Sequence, residues 1–281
     1  MLSRLQNFNV RSLFAPRTLV IGAAYSTTAV LLLAPMVAIV SSALAEGIVP
    51  LVQAILTPEA LLALRLSFLL GITAAVINTV LGVIIAWVLV RQKFPGRQLF
   101  NALVDLPFVV SPVIVGYVMI VLFGRGGWVQ DFPIPLAFSW QAMLVVTVFV
   151  CLPFVIREVQ PVLASMTREQ EHAAYTLGAT RWLTFWRIVF PGLRHAITYG
   201  VILTLARAIG EFGAVAIIGG GVQGVTETAT IYVYRSLHDR NEIGAYSMAI
   251  TLAITAIVIL TVMNWLRHRT TQTGSGHVNH A

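Results

Sequence analysis

Two charged residues sit where charge is most expensive. Arg207 and Glu211 fall in the run LARAIGEFGAV, inside an apolar stretch at 195–218. Their i, i+4 spacing places both on one helix face, where they can neutralise each other. At bilayer depth such residues face the protein interior or a water-filled path. Two readings are open: a structural ion pair at a helix–helix contact, or a pair lining a translocation path or its gate. In the second, Arg207 would ease the passage of an anion and Glu211 would repel it. Gly210 and Gly213 beside them permit close helix approach under either reading.

Covalent chemistry is poorly supplied. Lys93 is the single lysine and Phe94 follows it, so there is no GxxxxGK[ST] phosphate loop. The sequence has no HExxH and no GxSxG pattern either. His172, His195, His238, His268, His277 and His280 fall in connections, at span ends or in the tail. The lone Cys151 excludes an intrachain disulfide and a cysteine-based metal site. Ser67 and Ser111 have no histidine at comparable depth, which disfavours an intramembrane hydrolase. The expectation is a chain with no catalytic residues, no metal and no cofactor.

These residues must be positioned by membrane helices. Hydrophobic residues make up 58% of the 281 and charged residues 10%, against roughly 25% charged in soluble domains. Apolar spans fall near 18–44, 62–90, 104–123, 140–156, 195–218 and 245–266, each near the roughly 20 residues an α-helix needs to cross a bilayer. The expected fold is an all-α integral membrane protein with about six transmembrane helices. Pro153, Arg157 and Glu158 blur the end of the fourth span.

Positive charge sets the orientation. Arg4, Arg11 and Arg17, then Arg91, Lys93 and Arg97, then Arg157, Arg168, Arg181, Arg187 and Arg194, and finally Arg267 and Arg269 fall on one side. Arg125, Arg235 and Arg240 fall on the other, which places both termini in the cytoplasm. Topology thus explains the net charge of +7 without nucleic acid. Ala43-Leu44-Ala45 resembles a signal-peptidase site, but the apolar run from Thr18 is long for a signal peptide, so an uncleaved anchor is expected.

Between the fourth and fifth spans lies a polar interruption, TREQEHAAYTLGATRWLTFWRIVFPGLR at 167–194. Thr167 can N-cap a short helix with Gln170 as its capping-box partner. Gly178 suits a left-handed C′ position that ends it and lets a second short helix start. The stretch resembles the coupling loop of ABC importer permeases, EAA, three residues, Gly, nine residues, Ile-x-Leu-Pro. The matching positions are His172, Ala173, Ala174, Gly178, Ile188, Phe190 and Pro191. His172 replaces the motif Glu, with Glu171 just before it, and Phe190 replaces Leu. VDLPFVVSPVIVGYVMIVLFG at 104–124, ARAIGEFGAV at 206–215 and TETATIYVY at 226–234 resemble the sulfate/thiosulfate branch, of CysW-like type. The likeness covers about 60–266; molybdate and tungstate permeases share a related GEFGA segment.

This resemblance implies a division of labour. Residues 1–17 would form a cytoplasmic segment, 18–266 the permease domain, with 167–194 as a cytoplasmic helix-turn-helix coupling loop, and 267–281 a polar tail. Glu171, His172, Ala173, Ala174 and Gly178 would contact a cytoplasmic, CysA-like ATPase dimer, with Pro191 ending the second short helix. A CysT-like sister permease would share the bacterial inner membrane, and an extracytoplasmic sulfate/thiosulfate-binding protein would deliver the oxyanion. A secondary transporter is the rival class, but beyond the echo of LPFVV at 106–110 in LPFVI at 152–156 no internal repeat supports it.

Smaller features complete the reading. Pro107 and Pro112 would kink the third span, and Gly219, Gly220 and Gly221 would end the fifth. Ile231, Tyr234 and Leu237 fit a short surface helix in the outer connection, and Trp182, Phe185 and Trp186 fit a docking ridge or an interfacial belt.

Overall fold

In lipid a backbone can leave no N–H or C=O unpaired, so apolar spans fold as helices. The computed structural model describes residues 16–45, 47–124, 126–128 and 138–274, and among these all regular structure is helical. Arg4, Arg11, Arg125, His277 and His280 lie outside the described residues.

Helix α1 (Pro16–Ala45) is followed by the short α2 (Ile48–Ile55) and the long α3 (Pro58–Arg91). Thr57 starts α3, its hydroxyl accepting the Ala60 N–H, and Pro58 occupies the first turn, where a missing N–H is harmless. A short helix α4 (Arg97–Val104) precedes the third apolar span, which is itself broken into α5 (Leu106–Val109) and α6 (Pro112–Phe123). Only the 12-residue α6 remains a continuous apolar helix there, because a residue before proline is pushed out of the helical region. Ser111, before Pro112, is extended at φ −59° and ψ 132°.

Helix α7 (Trp140–Ser165) runs straight through Pro153 and Pro161, so the fourth span is longer than its sequence suggests. The fifth span starts and ends earlier than expected. Helix α10 (Phe190–Ile209) stops, Gly210 to Phe212 are non-helical, and α11 (Gly213–Gly219) resumes. The connection after α11 carries the expected short helix, α12 (Ala229–His238), with Ile231 and Tyr232 buried. Helix α13 (Glu242–Gly274) carries helical structure beyond residue 266. Among the described residues five helices are long and apolar enough to cross a membrane, and Pro112–Phe123 is a shorter apolar one.

Small residues decide how α3, α7 and α10 meet. Val155 of α7 lies between Gly82 of α3 and Gly200 of α10: a Cβ on Gly82 would approach Val155 Cβ to 2.7 Å, and one on Gly200 would approach Val155 Cα to 2.9 Å. Close backbone approach of this kind is how membrane helices gain van der Waals contact. Ile156, Val159, Leu163 and Leu193 extend the junction with no exposed surface. Helix α1 instead lies at the periphery, against α2 and α13.

Gly82→Val should therefore overpack the junction and cost about 1–3 kcal/mol. Thermal unfolding in detergent should show a lowered midpoint for Gly82→Val and little change for Gly22→Val, whose surroundings are open within 4 Å. Equal midpoints would contradict this packing.

Candidate coupling loop and anion-facing recess

The polar loop builds its two short helices by different means than capping-box spacing suggests. Helix α8 (Glu169–Thr176) starts after Arg168, which makes no side-chain cap, so Thr167 and Gln170 do not form the expected box. Glu169 and Glu171 in its first turn instead complement the positive end of the helix dipole. Its end follows the sequence closely. Gly178 has φ +83°, Ala179 N–H donates to Ala174 O at 3.0 Å, and Gly178 N–H donates to Tyr175 O at 3.0 Å. This pair of bonds is a Schellman motif, whose left-handed residue is favoured as glycine.

Thr180 caps α9 (Arg181–Thr184) by accepting the Leu183 N–H at 3.3 Å. A π-helical turn at Phe185–Val189 then leads without interruption into α10. Pro191 thus lies in the first turn of α10 and does not end the second short helix. The physical reason is the π turn: Phe190 N–H donates to Phe185 O, and the widened turn makes room for a ring that would otherwise clash one turn back.

The predicted coupling residues divide between two faces. His172, Ala173, Gly178 and Pro191 are exposed and Ala174 is half-buried. Leu177, unremarked in the sequence, is 89% exposed, and Trp182 is 70% exposed. Glu171 turns the other way. Its carboxylate meets the Arg91 guanidinium at 2.7 Å, and both side chains are buried. Arg91 also donates to Met166 O, while Arg168 donates back to Arg91 O at 3.0 Å. Sequence reasoning counted Arg91 only as a topology charge; residues so far apart in the chain leave no spacing signal.

Arg207 and Glu211 are brought together at 2.6 Å, but not on one continuous helix face, because α10 ends at Ile209. Glu211 lies in the break, its side chain 1% exposed. One carboxylate oxygen accepts the Ala214 N–H at 3.0 Å, so Glu211 caps α11, and the other meets Arg207. The Glu211 carbonyl accepts the Thr230 hydroxyl at 2.8 Å. Arg207 is 34% exposed and borders a recess of about 340 Å³ with Phe108, Ser111, Pro112, Val150 and Phe154.

Below that recess, Phe108 and Phe154 meet edge-to-face with centroids 5.3 Å apart. One turn along α7 from Phe154, Arg157 makes a bidentate contact with Asp105 at 2.7 and 2.5 Å. It also donates to Asn101 and Gln160, which fastens the α4–α5 elbow to α7. This pair was missed in the sequence, where Arg157 was counted only as a topology charge at the end of the fourth span. Among the described residues no group of three His, Cys, Asp or Glu could hold a metal.

Comparison with known proteins fits this geometry. The chain is 37% identical over 271 residues to the sulfate transport system permease protein CysW of Escherichia coli K12, covering 95% of this chain and 93% of that one. It is 40% identical to the CysW of Synechocystis over 266 residues, covering 93% and 96%. The E. coli K12 sulfate transport system permease protein CysT is 34% identical over 264 residues, covering 92% and 95%. The fold is similar to a chain of a bacterial ABC transporter involved in the import of the acidic polysaccharide alginate, with TM-score 0.73 and 16% identity over 94% of this chain and 98% of that chain. Residues 78–272 match the family described as binding-protein-dependent transport system inner membrane component, and a match of that extent, on a multi-pass helical fold, means that the chain belongs to that family.

Proposed function

We propose that this chain is the membrane-spanning permease subunit of an ATP-driven importer of sulfate and thiosulfate. The near full-length likeness to sulfate permeases carries the reading. These relatives favour sulfate over molybdate or tungstate, and membership of a binding-protein-dependent family disfavours an ATP-independent secondary transporter. The chain has no phosphate loop, so ATP is hydrolysed by a separate subunit.

The positive charge around the 167–194 loop supports a cytoplasmic position for it and for both termini. There a dimer of ATPases docks on the outer face of α8, against His172, Ala173, Leu177 and Gly178, with Ala174 behind them. The small alanines let a cleft close tightly around the helix, and Gly178 sets the turn. Glu171 faces inward, so His172 makes the polar contact to the ATPase, and Pro191 fixes the start of α10. Nucleotide binding favours one of two arrangements of the complex, which is how a ligand moves a protein. A CysT-like sister permease completes the path, and an extracytoplasmic binding protein delivers the oxyanion on the α12 side.

Arg207 serves as an anion-facing residue of that path. Glu211 does not defeat this role, because its carboxylate oxygens are committed to Ala214 N–H and Arg207 and are shielded from the recess. The guanidinium carries five donors, so binding Glu211 leaves capacity for an oxyanion.

Competition settles the substrate: uptake of labelled sulfate by the assembled complex should fall with excess thiosulfate and persist in molybdate. The reverse pattern would reject the sulfate assignment. Gly178→Val should insert normally yet lose most uptake, since a β-branched residue at positive φ costs roughly 1–3 kcal/mol and unwinds the turn. Normal uptake by this variant would count against the coupling role. Arg207→Gln should destabilise more than Arg207→Gln with Glu211→Gln, by about 2 kcal/mol, because it strands a buried carboxylate. Both should lose uptake if Arg207 faces the path; restored uptake in the double variant would make the pair purely structural.

A further inference from the structure

We infer that α3 is the lever that carries movement of the 167–194 loop to the break at 210–212, and that the Arg91–Glu171 ion pair clamps its inner end. The inference rests on the coupling role proposed for that loop. Three ties hold α8 and its approach to the last turn of α3: Arg91 to Glu171 at 2.7 Å, Arg91 to Met166 O at 3.3 Å, and Arg168 to Arg91 O at 3.0 Å. The pair is also well placed electrostatically. Arg91 stands at the negative end of the α3 dipole and Glu171 at the positive end of α8, so each charge is favourable before they meet. Burial of both side chains makes the contact costly to break on one side only.

The other end of α3 grips both flanks of the break. Gly71 backs onto the last turn of α10, where a Cβ would meet Ile209 at 3.1 Å and Leu205 at 3.2 Å. Ser67 Oγ accepts the Ala229 N–H at 2.8 Å, and the neighbouring Thr230 donates to the Glu211 carbonyl. Gly71 and Arg91 are joined by uninterrupted helix, about 30 Å of it at 1.5 Å per residue. Pro58 in the first turn is the only proline in α3, so no proline kink separates the two grips, and Gly82 between them is packed against Val155. Arg91, Glu171, Gly71 and Ser67 are positioning residues: they touch neither nucleotide nor anion, and they fix where Glu211 and Arg207 stand relative to the docked loop.

The test uses the whole complex, with ATPase and binding protein, in vesicles, and reads labelled sulfate taken up per ATP hydrolysed. Arg91→Gln with Glu171→Gln removes the clamp without stranding a charge. It should retain the ATPase and its hydrolysis while uptake per ATP falls about tenfold, a size common for coupling between sites. A thiol version guards against misfolding of that variant. Arg91→Cys with Glu171→Cys should show the same low ratio, regain the normal one when a short bis-methanethiosulfonate linker joins the two thiols through a disulfide at each end, and lose it again when a thiol reductant cleaves those disulfides; native Cys151 has no exposed surface. An unchanged ratio in the folded glutamine pair, or a ratio indifferent to the linker, overturns the lever. If the unaltered chain retains no ATPase, the coupling reading fails and the lever falls with it; a retained ATPase with an unchanged ratio removes the lever alone.

Discussion

A helix broken inside a bilayer must find partners for every backbone group it frees, and Glu211 meets that demand here. At the gap between α10 and α11 its carboxylate accepts the Ala214 N–H and pairs with Arg207, while its carbonyl accepts the Thr230 hydroxyl. Irregular backbone at membrane depth is tolerated only where protein or a water-filled cavity satisfies it. The break is therefore a constructed feature that fixes where α11 starts, where the α12 segment docks and where Arg207 points. A carboxylate this buried is stable as an anion only with its cation beside it.

The same logic runs through the rest of the architecture. Where the third span breaks at Asp105, Arg157 supplies a bidentate partner and draws Asn101 and Gln160 into one network. Where the polar loop meets the membrane, Arg91 receives Glu171. Each irregular segment is thus tied by an arginine to a continuous neighbouring helix or turn. Between these polar ties the three long helices pack through glycine and valine at Val155, where steric fit replaces a hydrophobic driving force absent in lipid. The result is a closely packed bundle with a small number of non-helical joints.

Such a division suits a conduit worked from one side. If the 167–194 loop is displaced as proposed, helices that stop short would not pass the movement on, and α3 and α7 do not stop between their ends. The joints at Asp105, at Val110–Ser111 and at Gly210–Phe212 gather instead around the recess beside Arg207. Under the proposed function, its largely apolar walls and the Arg207 guanidinium are an arrangement that a compact, multiply charged anion can use in passing without being held too tightly.

Much of this was legible from residue order alone. The apolarity of the spans, the short helix around Ile231, and the left-handed turn at Gly178 depend on local sequence, because hydropathy and φ preference are properties of neighbouring residues. The same locality misled at three places. Pro153 does not interrupt α7, Pro191 continues a helix through a π turn, and Gly210 breaks one that looked continuous. In each case the outcome depended on what packed beside the backbone. Glu171 was placed correctly on the loop, yet its direction was set by Arg91, a residue of another helix. The sequence by itself determined which segments enter the membrane and where the loop turns; tertiary structure alone decided which charges pair and which helices break, since those depend on partners distant along the chain.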